Sequence, residues 1–261
     1  MTRISASSYS NTAPLIWSFL FGARHGTAEM ILDNAPARSA ALLAEGRVDA
    51  ALVPVFAFQL IPDARLIPDV CVGARKRVRS VCLVTRGEDL GNAGSVALDT
   101  SSKTSVALTK IIFREFLAKE PVWVDSEPSI DEMLDRCDCA LLIGDPALSL
   151  GARPDEYRVF DLAELWHRHT GLGFVFAMWM TRRESCGIDF AGARDEGMGH
   201  LEDIVSNYLE DIPLPREAFV EYLSENISYS VDESMSQGLD LYFSMCEKHK
   251  LIERARLPEF V

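Results

Sequence analysis

At 261 residues the chain can bury a sizeable core, in one large or two modest domains. With 48% hydrophobic and 25% charged residues it reads as an ordinary globular protein, neither disordered nor fibrous. A net charge of −13 argues against nucleic-acid binding, and any anionic ligand must be held by local dipoles against the overall field.

The six cysteines, Cys71, Cys82, Cys137, Cys139, Cys186 and Cys246, show no C-x-x-C spacing. Cys137-x-Cys139 is too tight for a zinc pair, and the histidines supply no helical partner for it. Buried thiols and no metal site are the expectation. Met1-Thr2-Arg3 runs straight into a strand, and the apolar run Gly173–Met180 is far short of a membrane span. The expected setting is a reducing cytoplasm.

In chain order, Arg3–Ala6 reads as a strand, Pro14–Gly22 as a helix and Ala28–Leu32 as a second strand. Ala37–Ala44 then reads as a helix ended by Gly46, and Val48–Val53 as a third strand. This βαβαβ order predicts a parallel α/β sheet. Phe58–Asp69, with Pro62 and Pro68, is expected to carry the chain across an edge. The basic run Arg75–Arg79 is either a solvated turn or the source of one arginine for a ligand. It precedes the strand Ser80–Thr85.

Gly87–Gly94 looks like a hinge into a second βαβαβ unit. That unit comprises strands Val96–Leu98, Val122–Val124 and Ala140–Ile143, with helices Ser105–Ala118 and Ser129–Leu134. Asp161–His169 reads as a helix, Gly171-Leu172-Gly173 as its stop, and Phe174–Met180 as a strand returning to the first unit. The tail is helical over His200–Leu209, Phe219–Leu223 and Asp232–His249, the last beginning at an Asp cap. The predicted architecture is α/β and two-lobed. Lobe 1 is 1–85 plus 178–261, lobe 2 is 86–177, and the ligand lies between them.

Three polar turns stand at the carboxyl ends of predicted strands. The first is Ser7–Pro14, where Asn11 or Thr12 is a candidate N-cap and Pro14 suits a first helical turn. The second is Asp99–Ser105, with four hydroxyls after Thr100 plus Lys103 where a cap needs one. The third is Gly144-Asp145-Pro146. Free N–H groups at such helix starts suit a small anion. Asn11 either caps or binds a substrate hydroxyl or carboxylate. Ser80 is either an inert strand residue or part of a cleft floor. Asp145 either caps its helix or orients a substrate hydroxyl. His167 or His169 would reach the cleft only if turned from the helix end. No serine-hydrolase elbow, phosphate loop or H-E-x-x-H metal motif is present.

Taken together, several stretches resemble one family. They are Arg3-Ile4-Ser5-Ala6, Ser8-Tyr9-Ser10-Asn11-Thr12-Ala13-Pro14-Leu15, Val48-Asp49-Ala50-Ala51-Leu52-Val53-Pro54-Val55 and Arg79-Ser80-Val81. With them go Asp99-Thr100-Ser101-Ser102-Lys103-Thr104-Ser105, Leu142-Ile143-Gly144-Asp145-Pro146-Ala147-Leu148, Thr170-Gly171-Leu172, Phe174-Val175-Phe176-Ala177 and Ile227-Ser228-Tyr229. In this order they resemble the chorismate dehydratases (MqnA) of the futalosine route to menaquinone, over almost the whole chain.

The resemblance implies a type-2 periplasmic-binding-protein-like fold used as an enzyme. It implies dehydration of chorismate to 3-[(1-carboxyvinyl)oxy]benzoate, without metal or organic cofactor, with the substrate's enolpyruvyl carboxylate as base. It puts Asn11 and Ser80 in catalytic roles. It also points to Ser8, Thr12, Ser102, Thr104, Ser105 and Asp145 as substrate-binding. Neither Gly87–Gly94 nor Arg153–Tyr157 offers a ligand contact. The competing expectation is a non-catalytic binding protein for a small carboxylate on the same fold.

Overall fold

The stretch from Thr2 to Pro54 folds as its alternation predicts, as β1 (Thr2–Ser7), α1 (Ala13–Leu20), β2 (Ala28–Asp33), α2 (Pro36–Ala44) and β3 (Ala50–Pro54). β1 lies parallel to both β2 and β3. β3 is buried at every residue, the mark of a central strand covered on both faces. This computed structural model describes residues 1–152 and 155–261. Of the segment Arg153–Tyr157, therefore, Arg153 and Pro154 lie outside the described residues.

After α3 (Ala57–Leu60) comes β4 (Arg65–Ala74). The second lobe holds β5 (Val81–Thr85), β6 (Ser95–Asp99), α4 (Lys103–Ile111), β7 (Val122–Ser126), α5 (Ile130–Arg136), β8 (Cys139–Ile143), α6 (Asp145–Leu148), β9 (Arg158–Asp161) and α7 (Leu162–Thr170). The chain returns through β10 (Phe174–Thr181) and ends with α8 (Phe190–Gly199), α9 (Leu201–Tyr208), α10 (Arg216–Glu221) and α11 (Glu233–Lys248). π turns extend α4 over Ile112–Phe116 and α10 over Tyr222–Asn226. Among the described residues no helix is long and apolar enough to cross a membrane.

The strands form two five-stranded sheets, ordered β2-β1-β3-β10-β4 and β7-β6-β8-β5-β9. The fourth strand in each order, β10 and β5, runs antiparallel to both its neighbours. These are the strands that follow the two crossings between lobes.

Several expectations shift. β5 belongs to the second sheet, pairing with β8 and β9, while all of β10 belongs to the first. The crossings therefore fall at 75–80 and 171–173, before the boundaries expected after Thr85 and Ala177. Gly87–Gly94 joins two strands of the same sheet and is not the hinge. A fully apolar strand carries no mark of which sheet it joins. Each crossing carries one left-handed residue, Arg79 (φ 63°) at the end of the first and Gly171 (φ 73°) at the start of the second.

β4 begins within the stretch Phe58–Asp69 expected to run across an edge, and it is the edge strand of the first sheet. Its pairing with β10 jumps from Leu66↔Met180 to Cys71↔Met178, and Pro68 and Asp69 (φ 60°) lie in that gap. An edge strand with a bulge accommodates a proline that has no N–H to donate.

α11 ties the lobes together. The Tyr242 hydroxyl donates to the Thr104 carbonyl at 3.1 Å, and Ser234 Oγ accepts the Gly173 N–H at 2.9 Å. A Cβ on Gly238 would stand 2.0 Å from the Gly173 carbonyl oxygen, so only glycine lets α11 approach the returning crossing this closely.

Candidate active site

The turn after β1 is built to expose one side chain. Thr12 Oγ1 donates to the carbonyls of Ser7 (2.6 Å) and Tyr9 (2.8 Å), which curls Ser10–Thr12 into a single tight turn. Thr12 takes the N-cap position of α1, as expected, but makes no side-chain cap bond because its hydroxyl is engaged behind it. Pro14 does lie in the first helical turn. Asn11 is 8% exposed and faces the space between the lobes.

The four hydroxyls of the second turn divide the work. Ser102 Oγ caps α4 by accepting the Ser105 N–H at 3.4 Å, and Ser105 Oγ donates to Ser102 Oγ at 3.2 Å. Thr104 Oγ1 accepts the Phe56 N–H from the opposite lobe at 3.0 Å. Ser101 Oγ is enclosed without a hydrogen-bond partner. Asp99 Oδ1 accepts the Ser101 N–H at 2.9 Å, while burial pushes the Asp99 carboxyl above the usual range.

The third turn closes the cleft. The Gly144 N–H donates to the Ser80 carbonyl at 2.7 Å, and Asp145 accepts hydrogen bonds from Ser10. The Tyr9 ring lies on Gly144, whose missing Cβ would sit 2.6 Å from Cδ2 of that ring. Burial raises the Tyr9 pKa, partly offset by the neighbouring Ser101 hydroxyl. Tyr208 donates to the Ser8 carbonyl at 3.2 Å, and burial, reinforced by Asp145, pushes its own pKa up to about 12.

Between these turns is a narrow cavity. Its polar wall is Ser7, Tyr9, Asn11, Thr12, Ser80, Ser102 and Ser105; its apolar wall includes Val72, Ile143 and Phe176. That mixture of apolar wall and a few convergent polar groups suits a small organic ligand. No carboxylate, histidine, lysine, arginine or cysteine appears among the described lining residues. The N-terminal end of α4 reaches the cavity through Ser102 and Ser105, bringing the positive end of the helix dipole to it. Ser80 is wholly buried and its Oγ has no hydrogen-bond partner, which costs about 1–3 kcal/mol unless a ligand supplies one.

Of the residues singled out from sequence, Asn11, Thr12, Ser80, Ser102 and Ser105 meet at this cavity. Ser8, Thr104 and Asp145 do not line it. Ser8 Oγ turns to Asn34 at 3.4 Å, while Thr104 and Asp145 bind across the lobes. The arginines of 75–79 stay outside it too. Arg75 pairs with Asp232 at 2.8 Å, and Arg77 and Arg79 edge a separate cavity beside Asp161. His167 Nδ1 is engaged with the Leu172 carbonyl at 3.2 Å, and His169 stacks on Phe116. Tyr9 is a lining residue that sequence reasoning passed over, although it lies inside the opening motif. Among the described residues no group of three or more His, Cys, Asp and Glu side chains is disposed to hold a metal ion.

Comparison with known proteins gives the family and the fold. Residues 2–248 match the model of a family described as menaquinone biosynthesis. The chain belongs to that family. It is 33% identical to a chorismate dehydratase from Thermus thermophilus over 256 residues, covering 90% of this chain and 91% of that one. Solved structures resemble it in fold. A protein from Archaeoglobus fulgidus superposes with a TM-score of 0.68 at 16% identity, covering 96% of this chain and 98% of that one. The periplasmic aliphatic sulphonate binding protein SsuA from Escherichia coli gives 0.65 at 14%, covering 100% and 93%. A Candida albicans gene product with the generic periplasmic binding protein fold gives 0.69 at 8%, covering 98% and 92%. The family member described here is thus an α/β protein of periplasmic-binding-protein-like fold, with its cavity between two sheets.

Proposed function

We propose that this protein is an enzyme, a carbon–oxygen hydro-lyase that dehydrates chorismate to 3-[(1-carboxyvinyl)oxy]benzoate. The observation that carries the reading is the cavity wall. It offers hydroxyls, an amide and a helix N-terminus, yet among the described lining residues no side chain suited to act as a general base at neutral pH. Such a wall suits a dicarboxylate that brings its own base. The name of the Thermus thermophilus relative and the family match support the same choice.

In this reading the α4 N-terminus with Ser102 and Ser105 holds one carboxylate of chorismate, and Ser80 holds the other. The enolpyruvyl carboxylate takes the proton from the ring carbon that bears the ether oxygen. The adjacent C–O bond breaks, and the hydroxyl leaves as water with the proton that the carboxylate took. The double bond formed between these two carbons completes an aromatic ring, so the step is strongly downhill. Asn11 donates a hydrogen bond to the departing hydroxyl. Contacts between the lobes at Ser10–Asp145, Tyr9–Gly144 and Phe56–Thr104 hold the site closed, excluding water and fixing the reacting geometry. The six free cysteines fit work in a reducing cytoplasm.

The deciding experiment incubates the purified, chelator-treated protein with chorismate and follows products by chromatography and mass. Loss of one water to give the carboxyvinyl-oxybenzoate is the expected result. Unchanged chorismate that still protects the protein from thermal unfolding would leave a binding protein; neither turnover nor protection would overturn the chorismate assignment.

A further inference from the structure

Tyr222 opens the π turn after α10 and is wholly buried, with its ring stacked on Phe219 at 6.1 Å between centroids. Its hydroxyl has no hydrogen-bond partner, and neither has Ser80 Oγ. The two hydroxyls are neighbours. Burial drives the Tyr222 pKa far up, and the side chains of Ser80 and then Asn11 are the polar groups that partly offset it.

Phenylalanine at 222 and alanine at 80 would fill nearly the same space without enclosing a lone hydroxyl. Buried polar groups are paired in the great majority of cases, so two adjacent exceptions call for a reason. Ser80 and Asn11 line the cavity, and Tyr222, which does not line it, is within reach of both their side chains. Hydrogen bonds of this kind are often long without substrate and tighten when it binds.

We propose that Tyr222 is a positioning residue for the Asn11–Ser80 pair. Its hydroxyl donates to Ser80 Oγ, which directs the Ser80 proton at a substrate carboxylate and holds the Asn11 amide for the departing ring hydroxyl. Tyr222 itself touches no substrate. The assignment rests on the dehydratase reading for its kinetic consequences, though not for the contact between the two hydroxyls.

The test compares Tyr222→Phe, Ser80→Ala and the double variant in the full chain. Tyr222→Phe is expected to melt at or above the parental temperature and to lose at least tenfold in kcat on chorismate, with KM within threefold. The double variant should be no slower than Ser80→Ala alone, because the tyrosine acts only through Ser80. A Tyr222→Phe kcat within twofold of the parent, or losses that multiply in the double variant, would overturn the proposal.

A second readout needs only the parent and Ser80→Ala proteins, each carrying 13Cζ-labelled tyrosine. One of the six tyrosine resonances should move on Ser80→Ala; if none moves, the contact is absent and the proposal fails. If the parent leaves chorismate untouched, the dehydratase reading falls by itself and the resonance decides the contact.

Discussion

Asp145 accepts every hydrogen bond that Ser10 donates across the cleft, taking its N–H on both carboxylate oxygens (3.2 and 3.1 Å) and its hydroxyl on Oδ1 at 2.5 Å. Ser10 is wholly buried here, so removing the acceptor strands two donors only while the lobes are closed. Leaving them unpaired costs about 1–3 kcal/mol, or roughly 5- to 150-fold in the closing equilibrium. Asp145→Ala is therefore expected to raise KM for chorismate within that range and to enlarge the radius of gyration by small-angle scattering. A KM within twofold of the parent and an unchanged scattering curve would remove Asp145 from the latch.

Gly144→Ala attacks the same closure from the other side. The new Cβ would stand 2.6 Å from the Tyr9 ring, and the backbone at 144 (φ 69°, ψ −143°) is a region kept almost wholly to glycine, costing other residues about 1–3 kcal/mol. Tyr9 must swing away from Gly144. Expected are a thermal midpoint lower by several degrees and a higher KM, both measurable on one preparation. Parental values for both would mean that the Tyr9–Gly144 contact is not maintained in solution.

The sequence made the cavity more legible than the latch. Turns at strand ends declare themselves by composition, and Asn11, Ser102 and Ser105 line the cavity because a strand end must face it. Thr104 and Asp145 lie in the same turns but bind the opposite lobe. That choice depends on how two sheets approach, a long-range fact with no local signature. Tyr222 was hidden for the same reason, sitting in a helical apolar pattern indistinguishable from core. The strands β5 and β10 were found, yet their sheets were not, because an unbroken apolar run has no face to assign. α8 escaped notice since Phe190–Gly199 carries three glycines at positions where helices lose stability.

Acid sensitivity should trace partly to Glu120. Arg114 grips its carboxylate with two nitrogens (2.6 and 2.8 Å), Trp123 adds a third hydrogen bond, and the pKa falls from 4.5 to about 2. A depressed carboxylate contributes stability above its ordinary pKa and loses it as pH falls through the folded value, so the window is about pH 4.5 down to 2. Its side chain is 56% exposed, and solvent screening limits the contribution to about 1 kcal/mol at most. Asp145 works in the opposite sense. Burial raises its pKa, so its contribution diminishes as pH rises through the folded value. Glu120→Gln should flatten the acid limb of a stability-against-pH curve in that window and leave neutral turnover alone. An acid limb as steep as the parent's would locate the sensitivity elsewhere.

Ser80→Ala separates function from stability most cleanly. Its Oγ is enclosed and has no hydrogen-bond partner, so the substitution removes a desolvated hydroxyl. The melting temperature should hold or rise, whereas deleting a paired buried hydroxyl would lower it. Turnover should move the other way. A lost donor to a developing or bound charge in an enclosed site costs about 10²–10³-fold. The same hydroxyl would thus be a liability to the empty protein and an asset to the occupied one, as expected where a site keeps polar groups for its ligand. Melting curves and steady-state kinetics on one preparation give both numbers. A variant that melts lower and turns over normally would make Ser80 a structural residue, and the cavity floor would have to be assigned to Asn11 and Tyr9 alone.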